Sequence, residues 1–572
     1  MKDTRSTGIS IVLAGQAGQG VQTVETLLIK AASSAGFHVF ATKEYMSRIR
    51  GGMNTTSIRI ADHAVAAPVD RIDLLVALDK GARQHLALRL SDRTLALAEA
   101  QVVGREFDGS PCRFVDVPLT SIATQIGNKL FSNIVAVGAI AGLAGIDLDD
   151  VHRAVTRQFS SKDAQIVQGN LKAATAGYEF AKGLAGSHTL PRTGVDDQVK
   201  GHIVPSGGEA VGLGALAGGC NFISSYPMSP STPVLTFLAK HGRDFGVIVE
   251  QAEDEIAAMN MAIGAWYAGA RAMVTTSGGG FALMTEGLSL AGMLESPMVI
   301  HLAQRPGPAT GLPTRTEQAD LEMALYAGHG ELPRIILAPG NLHQAFSCTQ
   351  QAFALADRFQ IPVFVLTDQY LIDTYYNVEP FEVPQVCPVR HVVKSAADYR
   401  RYALTEDGVS PRAVPGWGEG LVVLDSDEHD QAGHITEDQD MRVQMVHKRL
   451  HKKLPAIQAA ALAPSLIGPK GHKNLIVCWG STLEVVKEAM ASLDRKDTAV
   501  LHLHQAYPLH ADVAAYLGKA RRTILIEGNA TGQLGKVIHL ATGIAIERRV
   551  LRYNGLAFSV EDVVAQLREH LA

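Results

Sequence analysis

The stretch VIVEQAEDEIAAMNMAIGAWYAGARAMVTT, residues 247–276, decides the fold of the middle of the chain. Val247-Ile-Val249 is a short β-branched run, Ile256 to Ala270 follows an alanine-rich helical pattern, and Ala272-Met-Val-Thr275 is strand-like again. Strand, helix and strand in that order imply a crossover connection, hence parallel strands with helices packed on the faces. The alternation continues through Met298-Val-Ile-His-Leu302, Arg334-Ile-Ile-Leu337 and Val363-Phe-Val-Leu366. Residues 201–390 are therefore expected to form a doubly wound, mainly parallel α/β domain.

Two further α/β regions flank it. Ile9-Ser-Ile-Val-Leu13 enters Gly15-Gln-Ala-Gly18-Gln-Gly20 and then a helical pattern from Val21 to Ala35; a second strand, residues 73–78, and later helices complete a domain over 1–190. The polar stretch GSHTLPRTGVDDQVK, 186–200, reads as a surface linker. Proline-rich and charged segments weaken the pattern after residue 375, and 391–465 is expected to be a long interdomain connection. A smaller third α/β domain, 466–572, is expected from Asn474-Leu-Ile-Val-Cys478, Val500-Leu-His-Leu503 and Thr523-Ile-Leu-Ile526.

Composition narrows the function classes. A chain of 572 residues, 47% hydrophobic and 19% charged, has the balance of a well-packed soluble protein of three to four domains. Its net charge of −5 offers no basic excess for nucleic acid. The five cysteines (Cys112, Cys220, Cys348, Cys387, Cys478) lie too far apart for a zinc or iron–sulfur set, so no metal site is expected within the chain. No secretory leader is visible, and the longest apolar run, 134–146, is too short for a bilayer and reads as a buried helix. A cytoplasmic, non-membrane protein is expected.

Several segments carry groups suited to chemistry. Gly15, Gly18 and Gly20 sit where a strand hands over to a helix, a position that attracts anions such as phosphate; a plain tight turn is the alternative. Ser225-Tyr-Pro-Met-Ser-Pro-Ser-Thr232 can hold a rigid loop that aims Ser229 into a cleft, or can serve as a helix start capped by Ser231 or Thr232. Glu255 opens a helix whose small residues (Ala257, Ala258, Ala262, Gly264) permit close packing and would bury the acid. His502, His504 and His510, and the acidic run 425–430 with His434, hold metal-type ligands, but strand packing and a polar loop account for them. MRVQMVHKRLHKKL, 441–454, reads as a basic amphipathic helix with a solvated face.

These motifs, in order, resemble those of the 2-oxoacid:ferredoxin oxidoreductases. Glu255 with Gly264-Ala265 resembles the pyrimidine-binding domain of thiamine-diphosphate enzymes, and residues 225–232 resemble the Tyr-Pro-Ile-Thr-Pro-Ser loop of the family. Thr276-Ser-Gly-Gly-Gly-Phe-Ala-Leu-Met284, Gln304-Arg-Pro-Gly-Pro-Ala-Thr-Gly311 and Pro313-Thr314 resemble later motifs. Residues 15–20 with Arg50-Gly51-Gly52 look like the γ domain fused at the N-terminus, and Glu527-x-Asn529-x-x-Gly532-Gln533-Leu534 looks like the α subunit's C-terminal, transketolase-like domain.

The resemblance implies roles. Glu255 would bond the pyrimidine ring nitrogen of thiamine diphosphate, and Arg305 would bind the substrate carboxylate. Ser229, in place of the usual threonine, and Thr314 would add hydroxyl contacts. The region 1–190, with Gly15, Gly18 and Gly20, would help hold coenzyme A or phosphate. No Gly-Asp-Gly stretch with paired asparagines is present, so a β subunit is expected to supply diphosphate binding, Mg²⁺ and a [4Fe–4S] cluster, in an (αβ)₂ assembly that passes electrons to ferredoxin. The fused γ–α order and Gly311-Leu-Pro-Thr-Arg-Thr-Glu-Gln-Ala-Asp320 look most like the 2-oxoglutarate branch, with Arg315 on the distal carboxylate. The expected reaction is oxidative decarboxylation to succinyl-CoA and CO₂, or its reversal as reductive CO₂ fixation. Pyruvate or a branched 2-oxo acid is the alternative substrate; a nucleotide-dependent dehydrogenase and a non-catalytic scaffold are the alternatives from other classes.

Overall fold

Ile9–Gln16 is buried at all but its last position because it has a neighbour on each side: Met53–Ala61 pairs with it antiparallel and Leu74–Ala77 pairs parallel. A computed structural model describes residues 8–46, 52–184, 190–383 and 389–572; Arg50, Gly51 and Cys387 lie outside them, as does part of the 186–200 linker. The chain divides into two units. The first comprises Met1–Pro205, Thr374–Pro380 and Ser559–Glu561. Its seven-stranded sheet runs, in spatial order, Tyr375–Tyr376, His38–Glu44, Met53–Ala61, Ile9–Gln16, Leu74–Ala77, Leu95–Ala98, Arg113–Asp116.

That sheet is mixed, with one half an antiparallel ribbon that the sequence pattern did not reveal. The strands MNTTSIRIA and HVFATKE carry threonines, a lysine and a glutamate in place of an apolar run, so their periodicity is faint. The longest apolar run becomes the buried helix Ser132–Ala144, as expected. It crosses Ala164–Leu184 so closely that a β-carbon on Gly138 would stand 2.0 Å from the Ala174 carbonyl oxygen, and one on Gly177 2.0 Å from that of Val135. Among the described residues no helix is long and apolar enough to cross a membrane.

The second unit comprises Ser206–Asp373, Phe381–Phe558 and Asp562–Ala572. Its larger sheet runs Gln505–Tyr507, Ile335–Leu337, Pro362–Asp368, Met298–Gln304, Ala272–Thr276, Phe222–Ser225, Ile248–Gln251, and all but the first strand are parallel. The expected crossover architecture is present. The smaller sheet runs Ser465–Ile467, Thr498–Leu503, Asn474–Trp479, Arg522–Glu527, Arg548–Leu551, again parallel except for its first strand.

The segment between the two sheets of this unit carries buried charge. Arg412 and Arg271 both pair with the fully buried Asp357. The basic segment departs from its expected solvated face: Lys448, Arg449 and Lys453 are buried. His447–Lys453 is a π-helical segment, in which residues five apart fall nearly in register; at 3.6 residues per turn they would lie about 140° apart. Lys448 and Lys453 are five apart, and their ammonium groups take the two oxygens of Glu295. Burial alone would raise the Glu295 carboxyl, but Lys448, Lys453 and Arg401 hold it well below the usual range.

Removing one partner of this cluster strands a buried charge. Lys453→Met is expected to destabilise the unit by about 3–5 kcal/mol, read as a lower unfolding midpoint of the purified protein. The triple replacement Glu295→Leu, Lys448→Met and Lys453→Met should recover most of that loss; a triple variant as unstable as the single one would contradict the pairing.

Candidate active site

Four neighbouring parallel strands of the larger second-unit sheet end on one side, and the residues singled out in the sequence follow their carboxyl ends, where open α/β sheets bind ligands. Phe222–Ser225 leads to Ser229, Ile248–Gln251 to Glu255, Ala272–Thr276 to the glycines 278–280, and Met298–Gln304 to Arg305.

Glu255 is the first residue of the helix Glu255–Tyr267, whose N-cap Asp254 accepts a hydrogen bond from the Ala257 N–H at 2.7 Å. The cap fixes this first turn, and the macrodipole there favours a carboxylate. Glu255 is 3% exposed, and its Oε1 is buried without a hydrogen-bond partner. An atom left in that state costs about 1–3 kcal/mol unless a donor arrives. Only a glycine fits beside it at position 280: a β-carbon there would stand 2.5 Å from Glu255 Oε1 and 2.2 Å from Thr276 Oγ1.

The loop of residues 225–232 is held from within. Ser225 Oγ donates to the Thr275 carbonyl at 2.6 Å, and Ser231 Oγ donates to that of Met228 at 2.7 Å. Ser231 is the N-cap of the helix Thr232–Phe245, yet its hydroxyl makes no cap bond, so the capping reading of this motif gives way to a loop-bracing role. Beneath it, His301 is buried between Thr275 and Thr367, at 2.7 and 2.9 Å, and burial lowers its pKa to about 3, which keeps it neutral. Arg305 is half-buried, burial lowers its pKa, and its Nη1 donates to the Ser229 carbonyl at 2.7 Å. Ser229 and Arg305 thus meet through the loop backbone, which leaves the serine hydroxyl out of that bond.

Thr314 and Arg315 lie on the return of the loop that starts at Arg305. Leu312 N donates to the Pro306 carbonyl at 3.0 Å, and the turn needs Gly311: its φ is 54° and a β-carbon would stand 1.8 Å from the Pro306 oxygen. Thr314 is buried and Arg315 half-buried, its stem against Gly555. The C-terminal motif then clasps the loop's end. Asn529 Nδ2 donates to the Gln318 carbonyl at 3.0 Å, Gln533 Nε2 to that of Ala319 at 2.8 Å, and Gln318 Oε1 accepts from Gly528 N at 2.8 Å. Sequence reasoning quoted Gly280 and Gln318 inside motifs but gave them no role, because a role for glycine or for a buried amide depends on what lies opposite.

In the first unit, Gly18 and Gly20 take φ of 89° and 83°, and Gly20 caps the helix Val21–Ala35. A β-carbon on Gly20 would stand 2.0 Å from Asn133 Nδ2, while one on Gly18 would meet nothing within 4 Å. An open cleft of about 330 Å³ adjoins this turn, lined among others by Gly18, Gln19, Thr120, Lys129 and Asn133. Of the histidines and acids elsewhere, His502 Nε2 faces the Gly480 carbonyl while its Nδ1 and that of His504 are buried without a partner, His429 stacks on Tyr402 at 3.6 Å, and Asp430 Oδ1 accepts from three backbone N–H groups. Among the described residues no group of three or more His, Cys, Asp or Glu is placed to hold a metal ion.

Residues 213–448 match the family described as pyruvate flavodoxin/ferredoxin oxidoreductase, thiamine diphosphate-binding, and residues 10–180 match pyruvate ferredoxin/flavodoxin oxidoreductase. The chain is 30% identical to a 2-oxoacid:ferredoxin oxidoreductase subunit alpha of a Sulfolobus species, over 96% of this chain and 95% of that one. It is 28% identical to the 2-oxoglutarate oxidoreductase subunit KorA of Mycobacterium tuberculosis, over 99% and 92%. A solved structure, 2-oxoglutarate:ferredoxin oxidoreductase from Magnetococcus marinus with 2-oxoglutarate, coenzyme A and succinyl-CoA bound, superposes with a TM-score of 0.92 at 30% identity over 99% of both chains.

The methyl group of Gly280→Ala is expected to push the Glu255 carboxylate aside. A displacement near 1 Å costs about 10²-fold in turnover, with circular dichroism retained and the unfolding midpoint lowered by an overpacking cost of about 1–3 kcal/mol. Turnover equal to that of the parent protein would mean that the placement of the Glu255 carboxylate has no part in the chemistry.

Proposed function

The chain belongs to the 2-oxoacid:ferredoxin oxidoreductase family as an α subunit, and on that premise we propose that it acts on 2-oxoglutarate, with thiamine diphosphate and coenzyme A, giving succinyl-CoA and CO₂ or running the reverse carboxylation. One observation carries the reading: a buried carboxylate oxygen without a partner, with a glycine beside it where any side chain would collide, at the carboxyl edge of a parallel sheet. Thiamine diphosphate suits it chemically, since a protonated pyrimidine nitrogen is the donor that Glu255 Oε1 lacks. When bound, the cofactor supplies the electron sink for decarboxylation.

This chain's residues then do the holding. Glu255 keeps a proton at the pyrimidine ring nitrogen, in surroundings dry enough to strengthen the bond. Arg305 grips the substrate carboxylate that departs as CO₂, a task suited to its planar fork of donors. Its bond to the Ser229 carbonyl fixes that fork, while the Ser229 and Thr314 hydroxyls add contacts. Arg315 is assigned the distal carboxylate, which favours 2-oxoglutarate over pyruvate and branched acids; the likeness to the M. marinus and M. tuberculosis proteins supports the same choice. The first-unit cleft beside Gly15, Gly18 and Gly20, with a helix N-terminus and Lys129, is assigned to coenzyme A or one of its phosphates.

A β subunit is assigned the diphosphate, Mg²⁺ and the [4Fe–4S] cluster, in a cytoplasmic (αβ)₂ enzyme that reduces ferredoxin. Ile256, Met261 and Leu283, 50%, 41% and 51% exposed, lie on the Glu255 helix and the short helix after the glycines; such an apolar surface supports a covering partner. Family membership leaves the nicotinamide-dependent and scaffold readings without support.

The assembled enzyme, assayed by CoA-dependent viologen reduction, is expected to prefer 2-oxoglutarate to pyruvate and 2-oxoisovalerate. Arg305→Ala should raise KM for all three acids by roughly ten- to 150-fold, the equivalent of about 1.5–3 kcal/mol. Arg315→Ala should raise KM for 2-oxoglutarate alone. Equal losses on pyruvate and 2-oxoglutarate in Arg315→Ala would remove its assigned role.

A further inference from the structure

Asp320 occupies the N-cap of Leu321–Tyr326, where an aspartate ordinarily accepts a hydrogen bond from the following turn. Its carboxyl makes no such bond. It turns instead toward Gly278, so that both oxygens lie 2.6 Å from where a β-carbon of that residue would sit, and Oδ2 is buried without a hydrogen-bond partner. A side chain that forgoes both its local cap and a buried partner is held where it is by something else.

Gln304 fixes the backbone from which that side chain springs. Its Oε1 accepts from Asp320 N at 3.0 Å and its Nε2 donates to the Thr367 carbonyl at 3.0 Å. Gln304 immediately precedes Arg305, so one amide braces the acid beside the residue assigned to the substrate carboxylate. The fields of Arg305 and Asp320 act on each other. Glu317, on the same loop, is the other charged group that reaches Asp320. From the glycine run, Asp320 meets Gly278, while Glu255 faces Gly280; behind it, Glu322 pairs with Lys536.

We propose that Asp320 is a positioning residue that sets how much of the Arg305 charge is offered to the substrate: neutral, it leaves the guanidinium to the carboxylate of the 2-oxo acid; ionised, it competes as an internal counter-ion. This rests on the assignment of Arg305 to the substrate carboxylate. Burial, with Glu317, raises the Asp320 carboxyl to about 7 despite Arg305. The acid is therefore protonated below that pH and ionised above it, so substrate affinity falls as the pH rises through neutrality. Conversely, an arriving carboxylate favours the protonated form, and binding near pH 7.5 takes up a proton.

The test uses the assembled enzyme. KM for 2-oxoglutarate, whose carboxylates stay ionised throughout, is measured from pH 6 to 9 in the parent, Asp320→Asn and Arg305→Ala proteins. The parent's KM should rise severalfold between pH 6 and 9, with the change centred near neutrality, and Asp320→Asn should flatten that rise while kcat follows the parent's pH profile. Calorimetry of 2-oxoglutarate binding in two buffers of different ionisation enthalpy reads proton uptake without turnover; uptake should be present in the parent and absent in Asp320→Asn. Asp320→Ser, which can cap the helix by itself, guards against a folding defect and should behave as the asparagine variant does. An unaltered KM slope and proton uptake in both Asp320 variants would overturn the proposal while leaving Arg305 in its role, provided Arg305→Ala still raises KM. An unchanged KM in Arg305→Ala would overturn the reading beneath it, and the proposal with it.

Discussion

The candidate site is built around a buried carboxylate oxygen that has nothing to bond to. Burying Glu255 Oε1 without a partner is unfavourable, and a folded chain tolerates it only where the surroundings over-determine the position. The surroundings here do so. Asp254 fixes the turn, Ala258, Met259 and Ala262 seat the helix against the sheet, and Gly280 withholds the atoms that would otherwise cover the carboxylate. The site is therefore an acceptor prepared in advance, with its orientation settled before a donor arrives.

Rigidity around that atom comes from polar groups as much as from apolar packing. Glu527 is fully buried and accepts from Asn529 Nδ2, from the N–H groups of Leu534 and Gly535 and from Trp479 Nε1, so the C-terminal motif is satisfied before it reaches out to the loop. Asn529 and Gln533 then spend their remaining donors on the carbonyls of Gln318 and Ala319. The smaller sheet thereby acts on the edge of the larger one through backbone groups. Burial raises the Glu527 carboxyl while these donors pull it down.

The crossover architecture of residues 247–276 was legible because its helix is long and its strands are β-branched, and the order of motifs pointed to the family. The antiparallel half of the first sheet was not, because strands such as MNTTSIRIA take their stability from pairing partners distant in sequence. The buried lysines escaped notice for a related reason: a run of basic residues reads as solvated until the π-helical register and Glu295 are seen together. Within the candidate site, Glu255 and Arg305 could be singled out from the sequence, and the structure places both after carboxyl ends of neighbouring strands. Gly280, Gln304 and Asp320 could not be given roles, since what they do is set by neighbours across the sheet edge.

The loop from Arg305 to Asp320 shows how one segment can serve two demands. Its ends are pinned, at the start by Gln304 on Thr367 and at the finish by Gln318 and Ala319 under the C-terminal motif. Its middle, residues 307–312, is exposed and held by the single turn at Gly311. Gly311 apart, substitutions in that exposed middle disturb few buried contacts, whereas those at the pinned ends break hydrogen bonds inside the unit. The grip proposed for Arg305 on the carboxylate common to all 2-oxo acids would sit at a pinned end, where position must not drift. The contact proposed for Arg315 with the part of the substrate that varies would sit nearer the turn.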